Sequence, residues 1–266
     1  MRNPTHVIFH GACPDGFGAA WAVWKKIGNQ AQYLPGFYNK PYPKLPADSR
    51  VLIVDYSFAS RQDAIAFHNS VYEVQLVDHH QTAMDMLGDL PWCKFDMDHS
   101  GAYLAWEHMH DEEPPELIKY VEDRDLWRFQ LPYSREVAAA LGSYPRDFVV
   151  WESVSEMGME KMKLDGGTIL RFQSQKVSEI CENAFWKEID GYRVPVVNTS
   201  VLTSEVGDRL CQTNPTVPFA GYFFVRSDGK TQWGLRSPGR TDVSIIAKKF
   251  GGGGHKGAAG FVEAAK

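Results

Sequence analysis

Asp78, His79 and His80 form the strongest local signal in the sequence, because three adjacent ionisable groups close the apolar run VYEVQLVD (71–78) and follow it. Aspartate and imidazole are good ligands for a divalent first-row metal. A hydrogen-bonded neighbour commonly orients such ligands. A single histidine after a strand is more often an ordinary surface residue, so the triplet alone leaves a metal site and a structural role both open.

Further carboxylates stand in comparable positions and strengthen the metal hypothesis. Asp15 follows the apolar run HVIFH, which ends at His10, and Asp55 ends the run VLIVD. A two-metal hydrolytic centre needs carboxylates that bridge and neutralise its ions. These side chains would suffice together with one acid from YVEDRD, either Asp123 or Asp125. A helix cap at Asp55 and a solvated helix face in YVEDRD remain the alternatives.

A second cluster lies in GGGGHKGAAGF (251–261). Consecutive glycines cost backbone entropy and persist where a chain turns tightly or approaches a ligand closely. Their N–H groups can cradle a phosphate, and His255 with Arg236 of GLRS could add charge and hydrogen bonds. A flexible linker is the alternative. The sequence favours a ligand loop, because the glycines stand between an amphipathic helix and an apolar AAGF segment.

The elements that must position these residues alternate between strands and helices in the first half. Apolar β-branched runs over 6–10, 51–55 and 71–78 predict strands, and helices are expected over 16–27 and 61–68. This alternation indicates a mostly parallel sheet covered by helices on both faces. Because ligands gather beyond the carboxyl ends of such strands, we expect the titratable groups to meet at one edge.

The second half predicts mainly helix from about residue 100, and then a smaller unit. That unit shows a strand, a turn and a strand over 188–198, helices in VLTSEVGDRLC and DVSIIAKKF, and a hairpin about Asp228-Gly229. We therefore expect an α/β protein of two domains. The predicted organisation is a first domain over 1–165, a connecting helix over 166–187 and a second domain over 188–266.

Composition and charge narrow the function classes. The 266 residues carry 28 Lys and Arg against 33 Asp and Glu, a formal charge of −5. This balance argues against a non-specific clamp on long nucleic acid, which normally needs a strong basic excess. A small anionic substrate beside bound metal ions stays open.

The four cysteines, Cys13, Cys93, Cys181 and Cys211, lie far apart, which argues against a disulfide framework or a zinc ribbon. The first residues lack the pattern of a signal peptide, and no apolar run has the length of a membrane span. We expect a cytoplasmic protein without a membrane partner.

The chain resembles the DHH phosphoesterases, the group that contains RecJ-like exonucleases, short-oligoribonucleotide hydrolases and some cyclic-dinucleotide phosphodiesterases. In the first domain the resemblance rests, in order, on HGACPDGFGAA, LIVDYS, VDHHQT and VEDRDLW. GLRS and VSIIAKKFGGGGHKGAAGF resemble the smaller DHH-associated domain, whose signature is GGGH followed by AAG. Both signatures in one chain, in order, are more specific than either alone.

The resemblance implies two Mn²⁺ ions in a cleft between the domains, with Mg²⁺ or Co²⁺ as substitutes. By motif position the implied metal ligands are His10, Asp15, Asp55, His79 and Asp123. Asp55 and His79 would also act in catalysis with His80, which would face the scissile phosphate. Asp78 would orient a ligand, and Asp125 stays without an assigned role. The implied phosphate contacts of the second domain are Arg236, Gly252, Gly253, Gly254 and His255.

Cys13 departs from the family pattern. The first motif commonly carries two aspartates separated by one residue, D-x-D-G, whereas this chain has C-P-D-G. An alignment on Cys13 keeps Asp15-Gly16 at the end of the motif, while the other alignment puts Phe17 at the second aspartate. In both, one carboxylate is missing. Cys13 as a thiolate ligand, which suits Mn²⁺ poorly, and Cys13 as a small buried residue stay open, and with them the occupancy of one metal position.

These observations together predict a metal-dependent phosphodiesterase that hydrolyses short oligonucleotides or dinucleotides by a two-metal mechanism. Short oligoribonucleotides are the first expectation, and cyclic or linear dinucleotides are the second. The alternatives are a phosphomonoester or pyrophosphate-type phosphohydrolase and a nucleotide-binding protein with weakened catalysis. The expected partner is a short nucleic acid or a nucleotide, and a homodimer is left open.

Overall fold

The computed structural model describes residues 3–38 and 40–263. The chain divides into two compact units, Met1–Leu170 and Arg171–Lys266. Each unit contains one sheet with helices packed against it, so the predicted α/β class with two domains is confirmed.

The sheet of the first unit pairs its strands in parallel. In chain order the strands are β1 (His6–His10), β2 (Gln32–Gly36), β3 (Arg50–Val54), β4 (Glu73–Asp78) and β5 (Cys93–Phe95). Their spatial order is β2-β1-β3-β4-β5, and every neighbouring pair is parallel. The three strands that lead into the candidate site residues, β1, β3 and β4, are therefore direct neighbours with their carboxyl ends at one edge.

Helices connect these strands and continue beyond them. Those that begin in the first unit are α1 (Pro14–Ile27), α2 (Arg61–His68), α3 (Gln81–Leu87), α4 (Gly101–Met109), α5 (Glu116–Asp125), α6 (Ser134–Leu141), α7 (Phe148–Met157) and α8 (Met159–Cys181). A short 3₁₀ turn, Gly28–Gln30, follows α1. α2 has the bounds that the sequence predicts, and α1 begins two residues earlier than predicted.

The central strands feed two separate hydrophobic cores, one on each face of the sheet. Val7 and Leu52 pack with Trp21 of α1 on one face, and Ile8 and Ile53 belong to the core of the other face. All five side chains are fully buried. Burial of an aliphatic side chain of this size contributes about 1.5–3 kcal/mol, which explains why the strands are continuous apolar runs.

The two edge strands, β2 and β5, are the elements of this sheet that the sequence does not predict. β2 contains Pro35, which has no backbone N–H to donate and is tolerated at an edge. β5 has only three residues. Neither segment carries a long apolar run, because an edge strand buries less of its surface than a central one.

The second unit has a mixed sheet. Its further elements are β6 (Phe185–Ile189), β7 (Tyr192–Asn198), α9 (Thr203–Thr213), β8 (Ala220–Val225), β9 (Thr231–Arg236), α10 (Val243–Lys249), β10 (Gly253–His255) and β11 (Ala258–Glu263). The strand order is β10-β11-β9-β8-β7-β6, with β7 and β8 parallel and the other pairs antiparallel. Both predicted hairpins are present, and the first turns at Asp190 and Gly191 with positive φ.

The connecting helix lies earlier in the chain than the sequence predicts. α8 covers Met159–Cys181 instead of 166–187, and residues 185–187 already belong to β6. Asn183 closes the helix end by donating from its side chain to the carbonyl of Glu179. The division between the units falls inside α8, after Leu170. Among the described residues, no helix combines the length and the hydrophobicity that crossing a bilayer requires.

Candidate metal centre

The carboxyl ends of β1, β3 and β4 bring the predicted residues of the first unit together. β1 ends at His10, Asp55 directly follows β3, and β4 ends at Asp78, with His79 next in the chain. The Asp55 N–H donates to the carbonyl of Val77, which ties the end of β3 to β4. The strand pattern of the sequence therefore identifies the correct edge of the sheet.

Asp55 has an unusual backbone at this edge, with φ of 51° in the left-handed region. Aspartate enters this region more readily than most residues, and strained backbone of this kind persists only where its surroundings determine it. A Cβ on Gly16 would lie 2.9 Å from Asp55 Oδ2, and a Cβ on Gly101 would lie 2.7 Å from Oδ1. The two glycines therefore form a cradle that the Asp55 side chain fills.

One oxygen of the Asp55 carboxylate faces a sulfur and a nitrogen ligand atom. Oδ2 accepts a hydrogen bond from the Cys13 thiol at 3.4 Å and lies 3.7 Å from His10 Nδ1. The thiol and His10 Nδ1 are 3.2 Å apart. We call His10, Cys13 and Asp55 Oδ2 the Cys13 group.

The other oxygen faces a group that is rich in carboxylates. Asp55 Oδ1 lies 3.2 Å from His79 Nε2, and this nitrogen is also 3.5 Å from Asp15 Oδ2 and 3.6 Å from Asp125 Oδ2. We call His79, Asp15 and Asp125 the His79 group, whose ligand atoms all lie within 4.8 Å of one another. Asp55 thus stands between two sets of ligand atoms, as a carboxylate that bridges two metal ions must.

The first turn of α4 fixes Asp15. Its Oδ2 accepts the N–H of Gly101 at 2.7 Å, and its Oδ1 accepts the N–H of Ala102 at 3.0 Å. The first N–H groups of a helix have no partner within the helix and favour a negative charge. Each carboxylate oxygen has a second lone pair, so Asp15 keeps acceptor capacity for a metal ion.

Asp125, and not Asp123, is the acid of YVEDRD that the structure brings to the cluster. The Asp123 carboxylate accepts the N–H of Gln130 at 2.9 Å and that of Leu131 at 3.2 Å, so it organises the turn after α5. Two residues apart on a helix, side chains differ in direction by about 200°. Only one of the two acids can face the site, and the sequence-based choice of Asp123 as a ligand is corrected to Asp125.

Asp78 is fully buried behind His80. Its Oδ1 accepts the backbone N–H of His79 at 2.8 Å and lies 2.7 Å from His80 Nδ1. Burial lowers the pKa of His80, but the Asp78 charge and hydrogen bond outweigh it and raise that pKa to about 9. Asp78 therefore holds the His80 ring in one orientation, which is the role that the sequence predicts for it.

The buried acids crowd negative charge into the centre. Burial, then Asp125 and Asp55, raise the pKa of Asp15, and burial is the first cause of the raised pKa of Asp125. Burial would also raise the pKa of Asp55, but the surrounding histidines hold it well below its usual value. A bound dication would relieve this crowding, because it stabilises the ionised form of every carboxylate around it.

The donor set fits divalent metal ions. Oδ1 of Asp55 is buried and accepts no hydrogen bond of good geometry from the described residues, although His79 Nε2 lies 3.2 Å away. A buried oxygen in this situation costs about 1–3 kcal/mol unless a cation takes the place of the missing donor. The surrounding ligand atoms are imidazole nitrogen, carboxylate oxygen and thiol sulfur, all of which bind first-row metals in proteins.

The predicted phosphate contacts of the second unit lie together on its sheet. His255 of β10 pairs with Ala258 of β11, and Ala258 pairs with Arg236 of β9, so the three residues form one row across the strands. The predicted ligand loop is partly strand, since Gly253, Gly254 and His255 form β10. A Cβ on Gly252 would collide with the Gly260 carbonyl, and Gly254 has φ of 138°. Both glycines therefore also have a structural reason in the packing against β11.

Two residues at the centre carry no signal that sequence reasoning could use. Tyr38 is 46% exposed, and its ring centroid lies 5.3 Å from that of His10 and 5.1 Å from that of Tyr56. It stands in a loop after β2 without any motif. Gly101 follows the helix cap Ser100, and only the folded chain shows that it makes room for Asp55.

Solved structures share this architecture. RecJ from Thermus thermophilus, crystallised with Mn²⁺, matches 99% of this chain and 50% of its own, with 16% identity and a TM-score of 0.54. A pGpG-specific phosphodiesterase from Vibrio cholerae, PggH, matches 97% of this chain and 93% of its own, with 13% identity and a TM-score of 0.51. The DHH domain of a protein described as belonging to a family of ribosomal proteins covers 98% and 82%, with 13% identity and a TM-score of 0.58.

This chain has the DHH phosphoesterase fold. At these levels of identity, the likeness concerns the fold. An uncharacterized protein of Acanthamoeba polyphaga mimivirus is 26% identical over 96% of the chain. The chain spans 66% of the length of that relative and half the length of the RecJ chain. No protein-family model matches the sequence.

Asparagine substitutions at Asp125 and Asp123 should separate metal binding from folding in this DHH fold. Asp125→Asn should weaken Mn²⁺ binding, because it removes one charge from the His79 group. Asp123→Asn should lower the free energy of unfolding by about 1–3 kcal/mol, because an amide replaces an oxygen that accepts a backbone N–H. Its Mn²⁺ affinity should stay near that of the wild type. Calorimetric titration and urea unfolding measure the two quantities, and equal losses of Mn²⁺ affinity would contradict the assignment.

An alanine at Gly101 should damage the centre from outside its ligand set. In Gly101→Ala, the new methyl would overlap Asp55, so we expect weaker Mn²⁺ binding and a loss of about 1–3 kcal/mol in unfolding free energy. Gly167→Ala in α8 is the matched control, because a Cβ there meets nothing within 4 Å. That variant should bind Mn²⁺ normally and gain about 0.5–1 kcal/mol in stability. Normal Mn²⁺ affinity in Gly101→Ala would refute the cradle around Asp55.

Proposed function

We propose that this protein is a phosphoesterase that uses two divalent metal ions to hydrolyse a phosphodiester in a short nucleotide substrate. One observation carries the proposal: the two oxygens of the buried Asp55 carboxylate face separate groups of metal-ligand atoms. Mn²⁺ is the first expectation for the ions, with Mg²⁺ and Co²⁺ as substitutes. The Mn²⁺ in the crystallised RecJ supports this expectation.

The ligand sets follow from the two groups. His10 and Cys13 would hold one ion, and the His79 group would hold the other, with Asp55 between them. The sequence-based set of His10, Asp15, Asp55 and His79 is kept in this proposal. Asp125 replaces Asp123 in it, because the Asp123 oxygens are engaged by backbone N–H groups.

The chemistry requires that charge on a phosphoryl group be stabilised and a water be activated, and bound divalent ions supply both. The chain's own residues bind and orient around that reaction. Asp55 neutralises both positions, Asp15 and Asp125 add charge on one side, and Asp78 locks the His80 ring. His80, 18% exposed in its side chain, would donate a hydrogen bond to a phosphate oxygen of the substrate.

A short substrate agrees with charge and surface. The net charge of −5 disfavours tight binding along a long duplex. Tyr38 offers a half-exposed aromatic face beside His10, and such faces stack nucleobases without regard to sequence. PggH acts on pGpG, which is a substrate of this size. Short oligoribonucleotides remain our first expectation for this chain, and dinucleotides the second.

The second unit would supply the remaining substrate contacts. Arg236 and His255 lie in one row of its sheet, which suits binding of a phosphate by charge-assisted hydrogen bonds. The backbone of Gly252, Gly253 and Gly254 would contribute N–H groups. A cytoplasmic location and a homodimer stay predictions of the sequence.

A substrate panel tests the proposed function. The full chain should be assayed with short RNA, linear and cyclic dinucleotides, pyrophosphate and a 3′,5′-bisphosphate nucleotide, each with Mn²⁺, Mg²⁺ and Co²⁺. We expect turnover of the short RNA or the dinucleotides, and Asp55→Asn should lower kcat at least about a hundredfold. Asp48→Asn, at an exposed aspartate outside the centre, is the matched control and should retain full activity.

Three outcomes of the panel would count against the proposal. Turnover that survives Asp55→Asn would remove the two-metal basis. A preference for pyrophosphate or the bisphosphate nucleotide would favour the phosphomonoester and pyrophosphate class. Nucleotide binding without turnover under any metal would make the chain a binding protein, the alternative that the missing first-motif carboxylate favours.

Tyr38 should distinguish a nucleotide substrate from an inorganic one. Tyr38→Ala should raise KM for a dinucleotide by about 5- to 150-fold, which corresponds to the 1–3 kcal/mol of one lost base stack. The inhibition constant of pyrophosphate, which has no base, should stay unchanged. Tyr72→Ala, at a tyrosine that is 75% exposed, is the control. Equal changes for both ligands, or none for the dinucleotide, would contradict base stacking on Tyr38.

A further inference from the structure

The two sides of Asp55 offer different ligand atoms. The Cys13 group presents one nitrogen, one sulfur and one oxygen, from His10 Nδ1, Cys13 Sγ and Asp55 Oδ2. The His79 group presents one nitrogen and the oxygens of two aspartates, besides Asp55 Oδ1. The first set is therefore softer than the second.

Metal preference follows the ligand atoms. Carboxylate oxygens suit Mg²⁺ and Mn²⁺, whereas a thiolate favours Zn²⁺ and other thiophilic ions. A set of Cys, His and Asp is one that Zn²⁺ accepts, and catalytic zinc sites combine three protein ligands with an open position. The Cys13 group has this number of ligands, contributed by the end of β1, the start of α1 and the residue after β3.

Helix capping does not account for the thiol. Cys13 is the N-cap of α1, and its Sγ accepts the N–H of Gly16 at 3.2 Å. Serine, threonine, aspartate and asparagine are the residues that cap helices well, and sulfur is a weak acceptor. The thiol also contacts two ligand atoms in its own group, 3.2 Å from His10 Nδ1 and 3.4 Å from Asp55 Oδ2. A cap alone needs neither contact.

We propose that Cys13 makes the two metal positions unequal: the Cys13 group binds Zn²⁺ through a thiolate, and the His79 group binds Mn²⁺. The inference rests on the two-metal centre of the proposed function and concerns which ion occupies each position. It makes the protein a mixed-metal phosphoesterase, in which the sulfur ligand selects a second kind of ion.

Cobalt spectroscopy of the full chain tests the sulfur ligand without an activity assay. A protein loaded with Co²⁺ should show a near-ultraviolet thiolate-to-cobalt charge-transfer band together with visible cobalt bands. Cys13→Ser should lose the charge-transfer band and keep the Co²⁺ bound by the His79 group. Cys181→Ser, at another half-buried thiol, is the matched control and should keep the complete spectrum. Circular dichroism checks that each variant is folded.

Metal counting tests the selectivity. After dialysis against equal concentrations of Zn²⁺ and Mn²⁺, the wild type should retain one Zn²⁺ and one Mn²⁺ per chain by elemental analysis. Cys13→Asp should retain two Mn²⁺, since it restores a carboxylate. Zn²⁺ affinity in Cys13→Ser should fall by at least the roughly 10- to 100-fold that loss of a supporting residue costs at a metal site.

The outcomes separate this inference from the proposed function. Two bound Co²⁺ ions without a charge-transfer band, or two Mn²⁺ in the wild type, would overturn the role of Cys13 and leave the two-metal centre standing. A charge-transfer band with only one bound ion would support the thiolate ligand and overturn the two-metal function. A chain that binds no divalent metal would overturn both.

Discussion

The Asp55 carboxylate, held in a left-handed turn with ligand atoms on both of its sides, is the constraint on which the centre depends. The turn comes directly after a fully buried strand, so the sheet determines where the carboxylate stands. Gly16 of α1 and Gly101 of α4 leave the space that its side chain fills. A change in either helix would therefore reach both metal positions at once.

The same helices also supply ligand atoms and charge. α1 carries Asp15 in its first turn and has Cys13 as its cap, so its start contributes to both groups. α4 donates the N–H groups of Gly101 and Ala102 to Asp15. Negative charge is favourable at a helix N-terminus, and this interaction offsets part of the cost of burying Asp15 beside other acids. Helix packing and charge placement are thus one problem in this protein.

The sequence predicts the sheet edge well and the helical acids poorly, for a physical reason. Continuous apolar runs identify β1, β3 and β4, and the residue after a buried strand has a known position at the edge. The choice between Asp123 and Asp125 depends on the rotation of α5 about its axis, which tertiary packing sets. The short edge strands β2 and β5, and the role of Gly101, likewise follow from contacts between distant parts of the chain.

Anomalous diffraction from crystals of the full chain soaked with Mn²⁺ and Zn²⁺ tests the bridging role of Asp55 most directly. The account predicts two peaks about 3.5–4 Å apart, one beside Oδ1 in the His79 group and one beside Oδ2 in the Cys13 group. Data collected at the two absorption edges identify the ion in each position. A single peak, or peaks that do not contact Asp55, would contradict the account.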